Sequence, residues 1–105
     1  MRVVGVSGEG GYGGPEALRV FELPDRHAGP GEVRIAVHDA TVNPTDTFTR
    51  NGARHEMLKG HEPPYVPGMD VAGVIDEVGP GTATDLAVGD RVMAIVIPSG
   101  QHGGY

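Results

Sequence analysis

The sequence predicts a mainly β domain with many turns and one or two short helices. Three observations carry that expectation. The run Val71-Ala72-Gly73-Val74-Ile75-Asp76-Glu77-Val78 is apolar, β-branched and bounded by glycine and proline, as in a buried strand. The stretch Glu32 to Val42 alternates, with Val33, Ile35 and Val37 on one face and Arg34, Ala36 and His38 on the other. The 18 glycines and 9 prolines make up about a quarter of the residues, and they punctuate apolar segments instead of forming a low-complexity tract.

Taken in order, Met1 to Ser7 alternates loosely around Val3, Val4 and Val6 and reads as a first strand, followed by a glycine loop from Gly8 to Pro15. Leu18 to Leu23 reads as a second strand, leading through Pro24 to a turn at Gly29-Pro30-Gly31. After the alternating third strand, Asn43 to Gly52 opens on a proline, carries an early Asp and a late Arg, and ends Asn-Gly. Those are the start and stop signals of about two helical turns. Ala53 to Pro64 is polar and without periodicity, and is expected to be a mobile surface loop. Pro80 to Asp85 is a turn, and Val88-Gly89-Asp90-Arg91 is a tight connection into a last strand, Val92 to Ile97. The closing Gly103-Gly104-Tyr105 brings no final element, so the domain reads as cut from something longer. No internal repeat or linker is present.

Size and charge narrow the function. With 105 residues there is room for one domain and no second, and a chain this long can bury roughly two-thirds of its unfolded surface. A formal charge of −6 lacks the surplus of Lys and Arg that nucleic-acid binding needs, and no polybasic run favours an anionic membrane. No apolar run approaches the roughly 20 residues of a membrane span, and the start turns polar too soon for a signal peptide. A cytoplasmic protein is the expectation. With no cysteine, disulfides and thiolate metal sites are excluded.

Several motifs dissolve when their context is read. Gly8-Glu9-Gly10-Gly11-Tyr12-Gly13 has the form of a dinucleotide-binding turn, but no helix opens at its third glycine and no alternating βα units follow. It reads as a connection between two strands. His55 and His61 are six residues apart, about 600° of helix rotation, so they diverge where a metal-binding pair would converge. Ser7 and Ser99 lie in no nucleophile elbow, and His38 reads as a polar-face residue. Asn43, Thr45 and Asp46 are different: an amide, a hydroxyl and a carboxylate sit within one turn at a strand end. They suit either ordinary helix capping or a polar lining for a cleft. Gly73, inside a strand, implies that something passes close to its backbone, a neighbouring element or a ligand.

The chain resembles the zinc-independent, quinone oxidoreductase-like branch of the medium-chain dehydrogenase/reductase superfamily. The resemblance rests on five stretches in order: GGPEALRVFELP, PGEVRIAVHDATVNPTDTFTRNG, VPGMDVAGVIDEVGPG, DLAVGDRVMA and HGGY. It covers nearly everything except Ala53 to Pro64. It implies a GroES-like, partly open β-barrel over residues 1–105, the substrate-side domain of a reductase whose C-terminal Rossmann domain is absent from this chain. That second domain would be supplied in cis or in trans and would bind most of NADPH, and the full enzyme would be a homodimer. Hydride would pass to a quinone or an enone in the cleft between the domains.

Zinc-dependent relatives place a Cys at the position of Asn43 and a His-Glu pair at Met69-Asp70, so the resemblance implies no zinc. Residue by residue, it implies that Asn43 contacts the nicotinamide ribose and that Thr45 stands at a proton-relay position. It likewise implies that Asp46 is the carboxylate that orients the site. Phe48 falls where some quinone reductases carry a tyrosine over the substrate, and Tyr65 is the nearby phenol that could line the acceptor pocket. A free-standing binding module is the alternative. A co-chaperonin would need a flexible loop with an apolar anchor, and only Met57-Leu58 offers one.

Overall fold

A computed structural model describes residues 1–105. The elements run β1 (Arg2–Gly5), a 3-10 turn (Pro15–Ala17), β2 (Arg19–Glu22), β3 (Val33–Ala40), α1 (Pro44–Asn51), α2 (His55–Leu58), β4 (Asp70–Val78) and β5 (Arg91–Ile95). They form two antiparallel sheets, β1-β2 and β3-β4-β5, which stay open and do not close into a barrel. The fold is mostly β with two short helices, consistent with a GroES-like domain. The glycine loop after β1 leads through the 3-10 turn into β2, so it connects two adjacent strands.

The β3–β4 pairing explains both Gly73 and an irregularity that alternation alone does not reveal. Val37 lies opposite Gly73, and a Cβ at that glycine would collide with the carbonyl oxygen of Ala36. The element that passes close to Gly73 is therefore the neighbouring strand. The register shifts twice, between Arg34 and Ile35 and between Val37 and Asp39, leaving Asp76 on β4 and His38 on β3 as the extra residues. A bulge of one residue reverses the phase of everything beyond it. Asp39 accordingly pairs with Ala72 and joins the face opposite Val37.

The core cluster lies between the end of β1, the helical turn at Leu58 and the segment around Tyr65. Val6 and Tyr65 exchange backbone hydrogen bonds of 3.0 and 2.8 Å. Around them Val6, Leu58 and Tyr65 form a buried cluster, with Tyr12, Ala17 and Leu18 packed against it. This corrects the reading of Ala53 to Pro64 as a surface loop. Residues 55–58 form one helical turn, and Leu58 is 2% exposed. A single apolar anchor in a polar stretch has no periodicity, so its burial is invisible to pattern reading. His55 is held by the hydroxyl of Tyr12, at 2.7 Å from Nδ1, with the two rings edge to face.

Only 16 of 105 residues are buried, and the apolar side chains of Met93, Ile95 and Ile97 stand in solvent along and beyond the edge strand β5.

Two outcomes follow for stability. Leu58→Ala is expected to lower the unfolding free energy by about 2–4 kcal/mol, because it empties a site enclosed on all sides. Gly73→Val is expected to cost at least about 1–3 kcal/mol by forcing β3 and β4 apart. Urea midpoints for both variants check these values, and an unchanged midpoint for Gly73→Val would contradict the close approach to Ala36.

Candidate functional site

α1 begins where β3 ends. Asn43, in extended conformation, caps it, Pro44 occupies its first position, and Gly52 closes it in the left-handed region at φ 90°. The ring of Tyr12 lies against Gly52, leaving no room for a side chain there. Local sequence thus sets both ends of the helix, and with them the direction in which its first turn points.

Asp46 is the third residue of α1 and is 4% exposed. Its Oδ2 accepts from the backbone N–H of Asn43 at 2.7 Å, and its Oδ1 accepts from the N–H of Gly68 at 2.8 Å. The phenol of Tyr105 donates to the same carboxylate at 3.3 Å and to the carbonyl of Thr41 at 3.1 Å. Burial, with the charge of Asp46 and the hydrogen bond to it, pushes the Tyr105 phenol up to about 12, so at neutral pH it stays a donor. Hydrogen bonds to a buried charge are each worth about 1.5–3 kcal/mol. The carboxylate therefore ties together the start of α1, the turn before β4 and the last residue of the chain.

A second cluster lies beside it. The amide nitrogen of Asn43 donates to Thr41 Oγ1 at 3.0 Å and to Asp70 Oδ2 at 3.1 Å, and the Thr41 hydroxyl donates to Asp70 Oδ2 at 3.0 Å. An open groove of about 540 Å³ runs alongside, lined by Thr41, Asp70, Ala72, Met93 and Ile95 among others. A polar edge on an apolar trough is the usual makeup of a small-molecule site.

The residues anticipated from sequence divide between two places. Asn43 and Asp46 come together at the head of α1, and Thr45 sits half-buried between them in the same turn. Phe48 is on α1 and about half exposed. Tyr65 goes elsewhere: it is 4% exposed within the Val6–Leu58 cluster, its hydroxyl 3.5 Å from the carbonyl of His61. Its placement makes it a core residue.

Asp70, Thr41 and Tyr105 escaped the sequence reading as partners in the site. Met69-Asp70 was legible only as a departure from a metal-binding pair, and nothing in a linear pattern places Asp70 beside Asn43. His38 is exposed at the bulge of β3. No three His, Asp or Glu side chains converge in a way that could hold a metal ion. At the positions of the zinc-binding relatives the donors are an amide, a thioether and one carboxylate, a poor set for zinc.

Comparison with known proteins agrees with this geometry. Residues 29–104 match the family described as the alcohol dehydrogenase GroES-like domain. A 2-haloacrylate reductase of a Burkholderia species is 41% identical over 90 residues, 86% of this chain and 26% of that protein. Human quinone oxidoreductase is 39% identical over 101 residues, covering 90% of this chain and 28% of its own length. Among solved structures, the quinone oxidoreductase from Coxiella burnetii superposes over 99% of the chain with a TM-score of 0.83 at 28% identity. The mycobacterial protein Rv1454c complexed with NADPH does so over 100% of the chain, with a TM-score of 0.74 at 32% identity. The chain spans about a third or less of the length of each. With its ordered motifs, open β architecture and Asn43–Asp46 turn, the chain belongs to the alcohol dehydrogenase GroES-like domain family, in the quinone oxidoreductase-like branch of the medium-chain dehydrogenase/reductase superfamily.

Proposed function

We propose that this chain is the substrate-side domain of an NADPH-dependent, zinc-independent reductase of quinones or α,β-unsaturated carbonyl compounds. The observation that carries the reading is Asn43, its carboxamide held rigid at the lip of the groove where β3 gives way to α1. The similarity to quinone oxidoreductases and to a 2-haloacrylate reductase supports it. The similarity to a protein complexed with NADPH supports the choice of cofactor.

NADPH, when bound, supplies the hydride. Asn43 would hold its nicotinamide ribose, while a Rossmann domain, in cis or in trans, holds the rest. Thr45 or a water delivers the proton that completes reduction of the acceptor. Asp46 has its carboxylate committed to Asn43, Gly68 and Tyr105, so its part is to fix the turn that carries Asn43 and Thr45. Phe48 supplies an apolar wall against the acceptor. Activation of the acceptor carbonyl rests on hydrogen bonding and position. The exposed Met93, Ile95 and Ile97 support a surface on which the dinucleotide-binding domain docks.

The chain by itself is expected to give no oxidation of NADPH above background with a benzoquinone or a simple enone. Joined to its dinucleotide-binding domain, it is expected to turn over. In that two-domain reductase Asn43→Ala should raise the KM for NADPH several-fold and change kcat less, a split that loss of ribose contact predicts. Turnover by the isolated chain, or an Asn43→Ala enzyme with unaltered KM for NADPH, would contradict the reading.

A further inference from the structure

The carboxylate of Asp70 is the common acceptor of Asn43 Nδ2 and Thr41 Oγ1, and the amide also reaches Thr41 Oγ1. The three side chains close a small ring of hydrogen bonds. Its members sit at the ends of β3 and β4, which are paired along their length, and the backbone N–H of Thr41 donates to the carbonyl of Asp70 at 3.3 Å. On its other side Asp70 lies opposite Ile95 of β5. The ring is therefore mounted on the sheet and does not depend on a loose loop.

This arrangement removes an ambiguity in Asn43. A carboxamide has two faces of opposite character, a donor NH₂ and an acceptor oxygen, and can rotate to offer either. A carboxylate only accepts, so Asn43 must turn its NH₂ toward Asp70. The NH₂ is then committed to Asp70 and Thr41, and Oδ1 is the side the residue can offer to a ligand. We infer that Asp70 is the positioning residue of the site: it locks Asn43 as a hydrogen-bond acceptor, selecting a hydroxyl donor such as that of a ribose. Thr41 is its bracket. The inference rests on the reading of Asn43 as the ribose contact.

In the two-domain reductase, Asp70→Leu removes the acceptor while keeping the branched outline of the side chain. It is expected to raise the KM for NADPH about tenfold, the cost of an amide left free to misorient, with a smaller effect on kcat. Asp70→Asn keeps one acceptor oxygen and is expected to recover most of the binding. In the ¹⁵N-labelled chain without its second domain, Asp70→Asn should shift both side-chain amide protons of Asn43, and Thr41→Val should shift one. If Asn43→Ala weakens NADPH binding and Asp70→Leu does not, the positioning role is overturned while the ribose contact stands. If neither variant weakens it, both readings fall. Should Asp70→Leu fail to fold, the Asn43 amide resonances in Asp70→Asn decide, and unchanged resonances overturn the inference.

Discussion

One buried carboxylate organises this domain. Asp46 receives hydrogen bonds from the residue that caps its own helix, from the glycine that leads into β4 and from the phenol that ends the chain. A charge that far from water is tolerable only while its oxygens are satisfied. The three segments that satisfy it are thereby held at one point. α1 cannot swing away from the sheet without uncovering that charge.

The sheet contributes through two close-range devices. At Gly73 the absence of a side chain lets β4 approach the backbone of β3 at Ala36, which no other residue would allow. One residue along, the bulge at His38 reverses the facing of the last part of β3. Without it Asp39 would share the face of Val37. With it, the end of the strand brings Thr41 against Asp70, and the polar ring around Asn43 can form. Bulges recur beside functional sites because they re-aim a side chain without ending the strand.

Under the proposed function the residues of the site can be few, because the reactive group would arrive with a cofactor. At the head of α1 the chain presents the fixed amide of Asn43 and the half-buried Thr45, with Phe48 about half exposed further along the helix. The open face along Met93, Ile95 and Ile97 shows the other side of the same economy: a domain with so thin a core leaves apolar surface that a partner domain can cover.

The amino-acid sequence by itself determined the local elements and the family. Proline after Asn43 and glycine after Asn51 delimit α1 through backbone geometry alone, and the runs around Ile35, Ile75 and Val92 set three strands through their apolar pattern. The ordered motifs from Gly13 to Tyr105 placed the chain in its superfamily, while the turn of Asn43 and Asp46 was legible only as a polar cap or cleft lining, and it was the resemblance that made it a candidate site. What depends on register was decided only by the tertiary structure. The bulge at His38, the pairing of Asp70 with Asn43 and the reach of Tyr105 to Asp46 join residues 27 to 59 positions apart. Burial of Leu58 in a polar stretch and of Tyr65 in the core belongs to the same class. Propensity and periodicity act over a few neighbouring residues, whereas these contacts exist only once distant strands have been laid side by side.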